Sequence, residues 1–257
     1  MIVGDLIFDV GMHKCEDTIF YLKKGYRVIS IEANPHLVAI AKQKFKREIE
    51  TERLTILNFG IAENEGTLPF YRNDHLLEWS SFDKLIGTRD NTPFTVIDVP
   101  CKTILSIINE FGSPFYLKID IEGYDQFCIA SLDATKPLPT YISCEASSID
   151  CLNSLVEKGY TQFKLLNQAR NFKPFDLSQE QNNTSIFFQM KWNRLKMRLQ
   201  KYFPFQYNYG SSGPFAEATL GEWVSADSIR TMYYQFYTKD TNQPLNGLSW
   251  FDIHAKK

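Results

Sequence analysis

The stretch LIFDVGMHKCEDTIFYLKKGYRVISIE, residues 6–32, decides the fold. Leu6-Ile7-Phe8-Asp9-Val10 is a short apolar run closed by Gly11, the pattern of a strand buried on both faces. From Cys15 to Lys24 the apolar Ile19, Phe20 and Leu22 share one helical face. Asp17 and Thr18 lie near its start, where acidic and capping side chains are favoured, and Gly25 ends it. Arg27 to Glu32 reads as a second strand. Pro35 then suits the first turn of a helix carrying Leu37, Val38, Ile40, Ala41 and Phe45. Leu54 to Gly60 reads as a third strand. Strand, helix, strand, helix, strand in this order implies right-handed crossovers and parallel pairing. The expected class is therefore α/β, a Rossmann-like fold with a mostly parallel central sheet and helices on both faces.

Farther along, 104–111 reads as a helix, 115–120 and 140–145 as strands, and 154–158 as part of a helix ended by Gly159. A late strand is expected at 185–188. After residue 190 the character changes. Lys191, Arg194, Lys196, Arg198 and Lys201 mark a basic, helix-compatible segment, read here as a solvated face. Gly210-Ser211-Ser212-Gly213-Pro214 is a loop by composition. The tail ends at Trp250-Phe251-Asp252-Ile253-His254, and its aromatic content argues for order. The expected organisation is a Rossmann-like domain over 1–190 and a C-terminal extension over 191–257 packed on it.

Composition narrows the function classes. A 44% hydrophobic chain of 257 residues can bury a sizeable core. A net charge of −2 argues against a protein that gains affinity by neutralising many phosphates, so no nucleic-acid partner is expected. Five cysteines with no CxxC pair make a disulfide framework or structural zinc site unlikely and suggest reduced, buried thiols. The start, Met1-Ile2-Val3 followed by Asp5, lacks the basic region and apolar run of a signal peptide. No apolar run approaches the ~20 residues that span a bilayer. A cytoplasmic enzyme is the simplest expectation.

The chemistry begins at the first turn. An acid about twenty residues after a glycine turn holds the ribose of nucleoside cofactors, and Glu32 ends the second strand at that distance from Gly11. Glu32 can accept from both ribose hydroxyls, Gly11 lets the backbone approach, and Asp9 can receive a cationic amino group. A dinucleotide site needs G-x-G-x-x-G amides around a pyrophosphate. Here His13 follows Gly11, and Cys15 and Glu16 come next, so a phosphate would meet an acid. S-adenosylmethionine has no phosphate and carries positive charge, so these residues suit it better. The alternative, an ordinary strand-turn-helix corner, does not account for Glu32.

Tyr116-Leu117-Lys118-Ile119-Asp120-Ile121-Glu122-Gly123 is the second signal. A strand delivers Asp120 and Glu122 to its carboxyl end, where α/β sheets place ligands. Two carboxylates there can orient or deprotonate a hydroxyl. Their hard oxygens are also compatible with a divalent metal, which nothing in the pattern requires. A helix N-cap explains the same residues equally well. Glu145 closes the following strand as a third acid. His13, His75 and His254 are scattered and read as surface or packing residues. Trp79-Ser80-Ser81 lies on a long connection that either covers the site or is a plain loop.

With these residues in place, the chain resembles the FkbM-type methyltransferases. The matching stretches are FDVGMHKCEDTIFYLKKGYRVISIEANP (8–35), LNFGIAENEG (57–66) and YLKIDIEGYD (116–125). GSSGPF (210–215) with WFDIHA (250–255) looks like an extension found in part of that family. The resemblance implies a class I methyltransferase fold using S-adenosylmethionine, with hydroxyls of small molecules, sugars or glycans as acceptors. By position, Asp9 and Gly11 match the donor-binding turn and Glu32 the ribose-binding acid. His13, Ala33 and Asn34 flank them in the matching stretch and go with the donor site. Gly60 and Ile61 match the segment beside the adenine, and Asp120 and Glu122 the acidic motif. Asp120 is the preferred base, helped by Glu122, with Glu145 in reserve. The chain departs from the family where Cys15 replaces a usual glycine and His13 a frequent asparagine. The departure predicts weaker donor binding or a rearranged turn. The rival readings are a catalytically weak binding module and a nicotinamide-dependent oxidoreductase.

Overall fold

The computed structural model describes residues 4–180, 187, 191–192, 211–237 and 249–257. They fall into two compact units, 1–140 and 141–257. Among the described residues no helix is long and apolar enough to cross a membrane.

In the first unit four parallel strands form the core layer, in the order β7-β1-β2-β3: β1 (Leu6–Val10), β2 (Arg27–Ile31), β3 (Leu54–Leu57) and β7 (Tyr116–Ile119). β1 pairs with β2 on one side and with β7 on the other, both in parallel. All five residues of β1 and all four of β7 are buried, which explains why both read as continuous runs rather than alternating ones. Each fully buried Ile or Phe in such a strand contributes about 1.5–3 kcal/mol. The switch from β2 to β7 around β1 opens a crevice at the strands' carboxyl ends, where doubly wound sheets bind ligands.

The first helices lie close to expectation. Helix α1 (Glu16–Lys23) starts one residue later than expected because Cys15 takes the N-cap position in a left-handed conformation. Helix α2 (Pro35–Lys44) opens on proline, and its cap Asn34 accepts from the His36 N–H at 3.0 Å. A short α3 (Lys46–Glu50) follows.

The third strand is shorter than the sequence suggested. It stops at Leu57, and Gly60–Ile61 forms β4 in a separate sheet. The reason is a competing partner: Gly60 and Ile61 pair in parallel with Cys101 and Lys102 of β6 (Phe94–Lys102). β6 also pairs antiparallel with β5 (Gly66–Asn73), giving the order β4-β6-β5. A Cβ on Gly60 would lie 2.2 Å from the Phe82 ring, so that glycine serves packing within the cluster of Phe70, Phe82, Val99 and Cys101. The connection from β5 to β6 carries a short α4 (Lys84–Gly87). Helices α5 (Ile104–Phe111) and α6 (Asp125–Ala130) flank β7 in sequence.

In the second unit the strand pairings among the described residues are antiparallel. The order is β10-β9-β11-β8: β8 (Tyr141–Glu145), β9 (Gln162–Asn167), β10 (Lys173–Pro174) and β11 (Phe251–Lys256). The C-terminal residues thus enter between β8 and β9 as an internal strand. His254 lies opposite Ser143 and Lys164 and is buried, a packing histidine as expected. Helices α7 (Ile149–Glu157), α8 (Leu177–Glu180) and α9 (Ala226–Phe236) belong to this unit. Of the strand expected at 185–188 only Phe187 is described, and its backbone is helical. Of the basic segment 191–201, all but Lys191 and Trp192 lies outside the described residues. The cysteines are free and buried, as composition suggested.

Candidate functional site

The carboxyl ends of β1 and β7 meet at Gly11. Its φ of 83° is left-handed, and a Cβ there would sit 1.8 Å from the Asp120 carbonyl oxygen. Only glycine fits. The N–H groups of Gly11 and Met12 both donate to the Ile31 carbonyl, at 3.0 and 3.1 Å, which ties the turn to the end of β2.

Glu32 follows directly on β2. Its Oε2 accepts from the His13 N–H at 2.9 Å and its Oε1 from the Asn34 N–H at 2.8 Å. Two backbone amides from two loops therefore aim one carboxylate. A carboxylate offers about four lone-pair sites, so roughly half remain for a ligand. Burial raises its pKa and the two amides pull it down. The Asn58 side chain supports the loop by donating to the Glu32 and Ala33 carbonyls at 2.9 and 3.3 Å. Among the described residues, His13 Nε2 and Asn34 Nδ2 are buried without a hydrogen-bond partner. Such atoms ordinarily find one.

Asp9 departs from its expected role. It is fully buried, accepts from the Thr18 hydroxyl, and its Oδ1 lies 3.2 Å from Lys118 Nζ. It therefore has no surface from which to receive an ammonium group. Lys118, which sequence reasoning passed over, is the hub. Its Nζ donates to the Gly11 carbonyl at 2.8 Å and lies 3.7 Å from Asp17 and 3.6 Å from Asp120. Its side chain is only 3% exposed. Burial alone would lower its pKa, but the Asp9, Asp120 and Asp17 carboxylates together hold it well above the ordinary lysine range. A lysine inside an otherwise apolar parallel strand was the available signal, because a buried charge needs partners.

Asp120 presents a side chain 43% exposed. Glu122 stands at φ 49°, and its Oε2 accepts from the Arg89 guanidinium at 3.0 Å. Burial pushes its pKa up to about 7, Arg89 pulls it down, and Asp120 raises it. The connection after β5 reaches both halves of the crevice. Ser81 donates to the Glu122 carbonyl at 2.7 Å, Arg89 lies 4.4 Å over the Trp79 ring, and Glu78 comes within 4.0 Å of His13. The Trp79–Ser81 connection thus contacts residues of the loops after β1 and β7.

Other expected residues sit elsewhere. Ile61 is buried beside Gly60 in β4. Glu145 belongs to the second unit, opposite Asp252 of β11. Both family departures fall on left-handed backbone, with φ of 48° at His13 and 70° at Cys15. These are conformations that asparagine and glycine adopt at little cost. The Cys15 thiol is buried, and burial with the nearby Asp9, Glu16 and Glu32 pushes its pKa up to about 12, which keeps it protonated. Among the described residues no three His, Cys, Asp or Glu side chains gather as a metal cluster.

The site is thus a glycine turn, an aimed buried carboxylate, and an acid pair with an arginine beside it. Asp9, Asp17, Glu16, Glu32, Asp120 and Glu122 outnumber Lys118 and Arg89. Such a site favours a positively charged ligand and repels a phosphate.

The profile of the methyltransferase FkbM domain matches residues 9–160, more than half of the chain. A solved FkbM methyltransferase from Methylobacillus flagellatus KT is 18% identical, with a TM-score of 0.45, over 63% of this chain and 40% of that one. The chain therefore spans less than half of that protein. A precorrin-6y C5,15-methyltransferase from Geobacter metallireducens GS-15 is 10% identical, with a TM-score of 0.39, over 98% and 78%. The [4+2]-cyclase SpnF is 9% identical, with a TM-score of 0.37, over 99% and 74%. A search of the curated proteins found no match.

Proposed function

Because the chain belongs to the FkbM methyltransferase family, we propose that it transfers a methyl group from S-adenosylmethionine to a hydroxyl of a small-molecule or glycan acceptor. The observation that carries this reading is the Glu32 carboxylate, aimed by the His13 and Asn34 amides beside the Gly11 turn. Its spare lone pairs suit ribose hydroxyls. The unpartnered His13 Nε2 and Asn34 Nδ2 lie on the same two loops. The surplus of acids suits a ligand with cationic groups and no phosphate. When bound, S-adenosylmethionine supplies an electrophilic methyl group on a sulfonium.

The chain's own residues divide the remaining work. Glu32 holds the donor's ribose. Lys118 fixes the Gly11 turn by donating to its carbonyl, which would shape the donor pocket while Asp9 stays buried. Ala33, next to Glu32, would border the adenine. Asp120, assisted by Glu122, accepts the proton that leaves the acceptor hydroxyl. Holding the two reactants in line supplies part of the acceleration, up to several kcal/mol. General base help adds on the order of 10²–10⁴-fold.

A nicotinamide cofactor is disfavoured because Glu16 and Asp17 occupy the first turn of α1, where its pyrophosphate would need amides. One observation favours a second reading. The buried Cys15 side chain stands where the family usually has none, and a narrowed methionine pocket would make the chain a binding module.

The test is Asp120→Asn, assayed by methyl transfer from labelled S-adenosylmethionine to a panel of methyl glycosides. Turnover is expected to vanish with donor affinity nearly intact. Equal loss of both would assign Asp120 to structure or to donor binding.

A further inference from the structure

The acid pair after β7 has a cationic neighbour that the proposed mechanism does not yet use. Arg89 lies on the connection between β5 and β6, more than thirty positions away in sequence. Its Nη2 donates to Glu122 Oε2 at 3.0 Å, a contact that engages one of the two carboxylate oxygens. The guanidinium rests 4.4 Å over the Trp79 ring, so its plane is set from behind. The same connection grips the Glu122 backbone, because Ser81 donates to its carbonyl at 2.7 Å. Ile86 stands against Gly123, where a Cβ would come within 2.3 Å of its Cδ1. Three side chains of one segment thus fix the position of one carboxylate.

We propose that Arg89, backed by Trp79 and with Ser81 beside it, is a positioning residue for methyl transfer that aims the Glu122 carboxylate and favours its ionised form, so that Glu122 shares the acceptor's proton with Asp120. The inference rests on the proposed hydroxyl methylation and deepens it. The charged groups facing Glu122 are Arg89 from the connection, Asp120 from the end of β7 and Asp125 from α6. Burial and the two aspartates favour the protonated acid, and Arg89 alone among the three favours the carboxylate. Without Arg89 the balance would move further toward the protonated acid, and the pair would lose part of its capacity to receive a proton. In the step itself the acceptor O–H bond breaks and its proton goes to a carboxylate oxygen of the pair, its electrons form the bond to the methyl carbon, and the methyl–sulfur bond breaks with its electrons left on sulfur as a neutral thioether.

Carboxyl carbon NMR of Glu122 across pH tests this without any donor present, in the wild type, Arg89→Gln and Arg89→Lys. The expected midpoint in Arg89→Gln is about one pH unit higher than in the wild type, the low end of what a neighbouring cation does to a half-buried acid. Arg89→Lys should restore most of the difference, since a single contact needs only a point charge. S-adenosylhomocysteine titration should give affinities within about twofold for all three. Methyl transfer to the glycoside panel should fall at least about tenfold in Arg89→Gln, within the range for a disabled base. An unchanged Glu122 midpoint in a folded Arg89→Gln protein would overturn the proposal, as would full turnover in Arg89→Gln. Donor affinity falling as far as turnover would overturn it too, because Arg89 would then serve the fold. Failure of the wild type to bind S-adenosylhomocysteine would sink the methyltransferase reading instead, and the NMR midpoints would still judge Arg89.

Discussion

Replacing Lys118 by methionine removes the charge at the centre of the turn while keeping an unbranched side chain only one atom shorter. Asp9 is fully buried and Asp17 nearly so, and neither can turn to water without opening the β1 end. Breaking a buried ion pair by removing one partner costs about 3–5 kcal/mol. An independent route gives a similar figure. Neutralising one aspartate at pH 7, from an ordinary value near 3.9, costs about 4 kcal/mol. At this chain length the loss corresponds to a fall in Tm of roughly 8–16 °C. The pH signature follows from the signs. In the wild type the raised Lys118 pKa contributes stability that is present below the ordinary lysine value and lost only as pH rises through the raised one. In Lys118→Met the orphaned carboxylates take up protons more readily when folded, so the deficit should shrink as pH falls from 7 toward 4. Urea unfolding at several pH values measures both. A loss under about 1 kcal/mol at pH 7, with no pH dependence, would refute the hub role.

Two further outcomes follow from backbone and burial. At the left-handed N-cap Cys15, Cys15→Gly should be more stable than Cys15→Ala by about 1 kcal/mol, the opposite of their order inside a helix; chemical unfolding of the pair decides it. His254 lies inside the second unit with its pKa pushed down to about 3 by burial and by Lys164. Its contribution is therefore complete above the unfolded value near 6.5 and is lost as pH falls toward 3, at up to about 1.4 kcal/mol per pH unit. The acid limb of stability should flatten in His254→Gln, and an unaltered slope would show that His254 does not carry it.

How much of this was legible depends on how many faces each element buries. β1 and β7 bury everything, so their apolar runs and terminal acids were readable, and with them the turn, Glu32 and the acid pair. The β5–β6 hairpin was not seen, because its half-exposed strands carry Pro69 and Pro100 and mix polar with apolar residues. β11 deceives differently. Its alternating Asp252, His254 and apolar residues suggest a half-solvated strand, yet it lies between β8 and β9. The polar residues are satisfied inside: Gln168 donates to Asp252 at 2.6 Å, and His254 stays neutral. Arg89 had no local signal, since its partner Glu122 is 33 residues away. Gly60 looked like part of a third strand because local pattern cannot show that Cys101 competes for it.

The central claim is that the Glu32 carboxylate, aimed by two amides, holds the nucleoside of a methyl donor. Calorimetric titration with S-adenosylmethionine, in the wild type and in Glu32→Ala, tests it most directly, with NADH as control. The account predicts micromolar donor binding that weakens at least about tenfold in Glu32→Ala, as expected for losing hydrogen bonds to a charged group, and no NADH binding. A folded wild type that does not bind the donor, or a Glu32→Ala variant that binds it equally well, would contradict it.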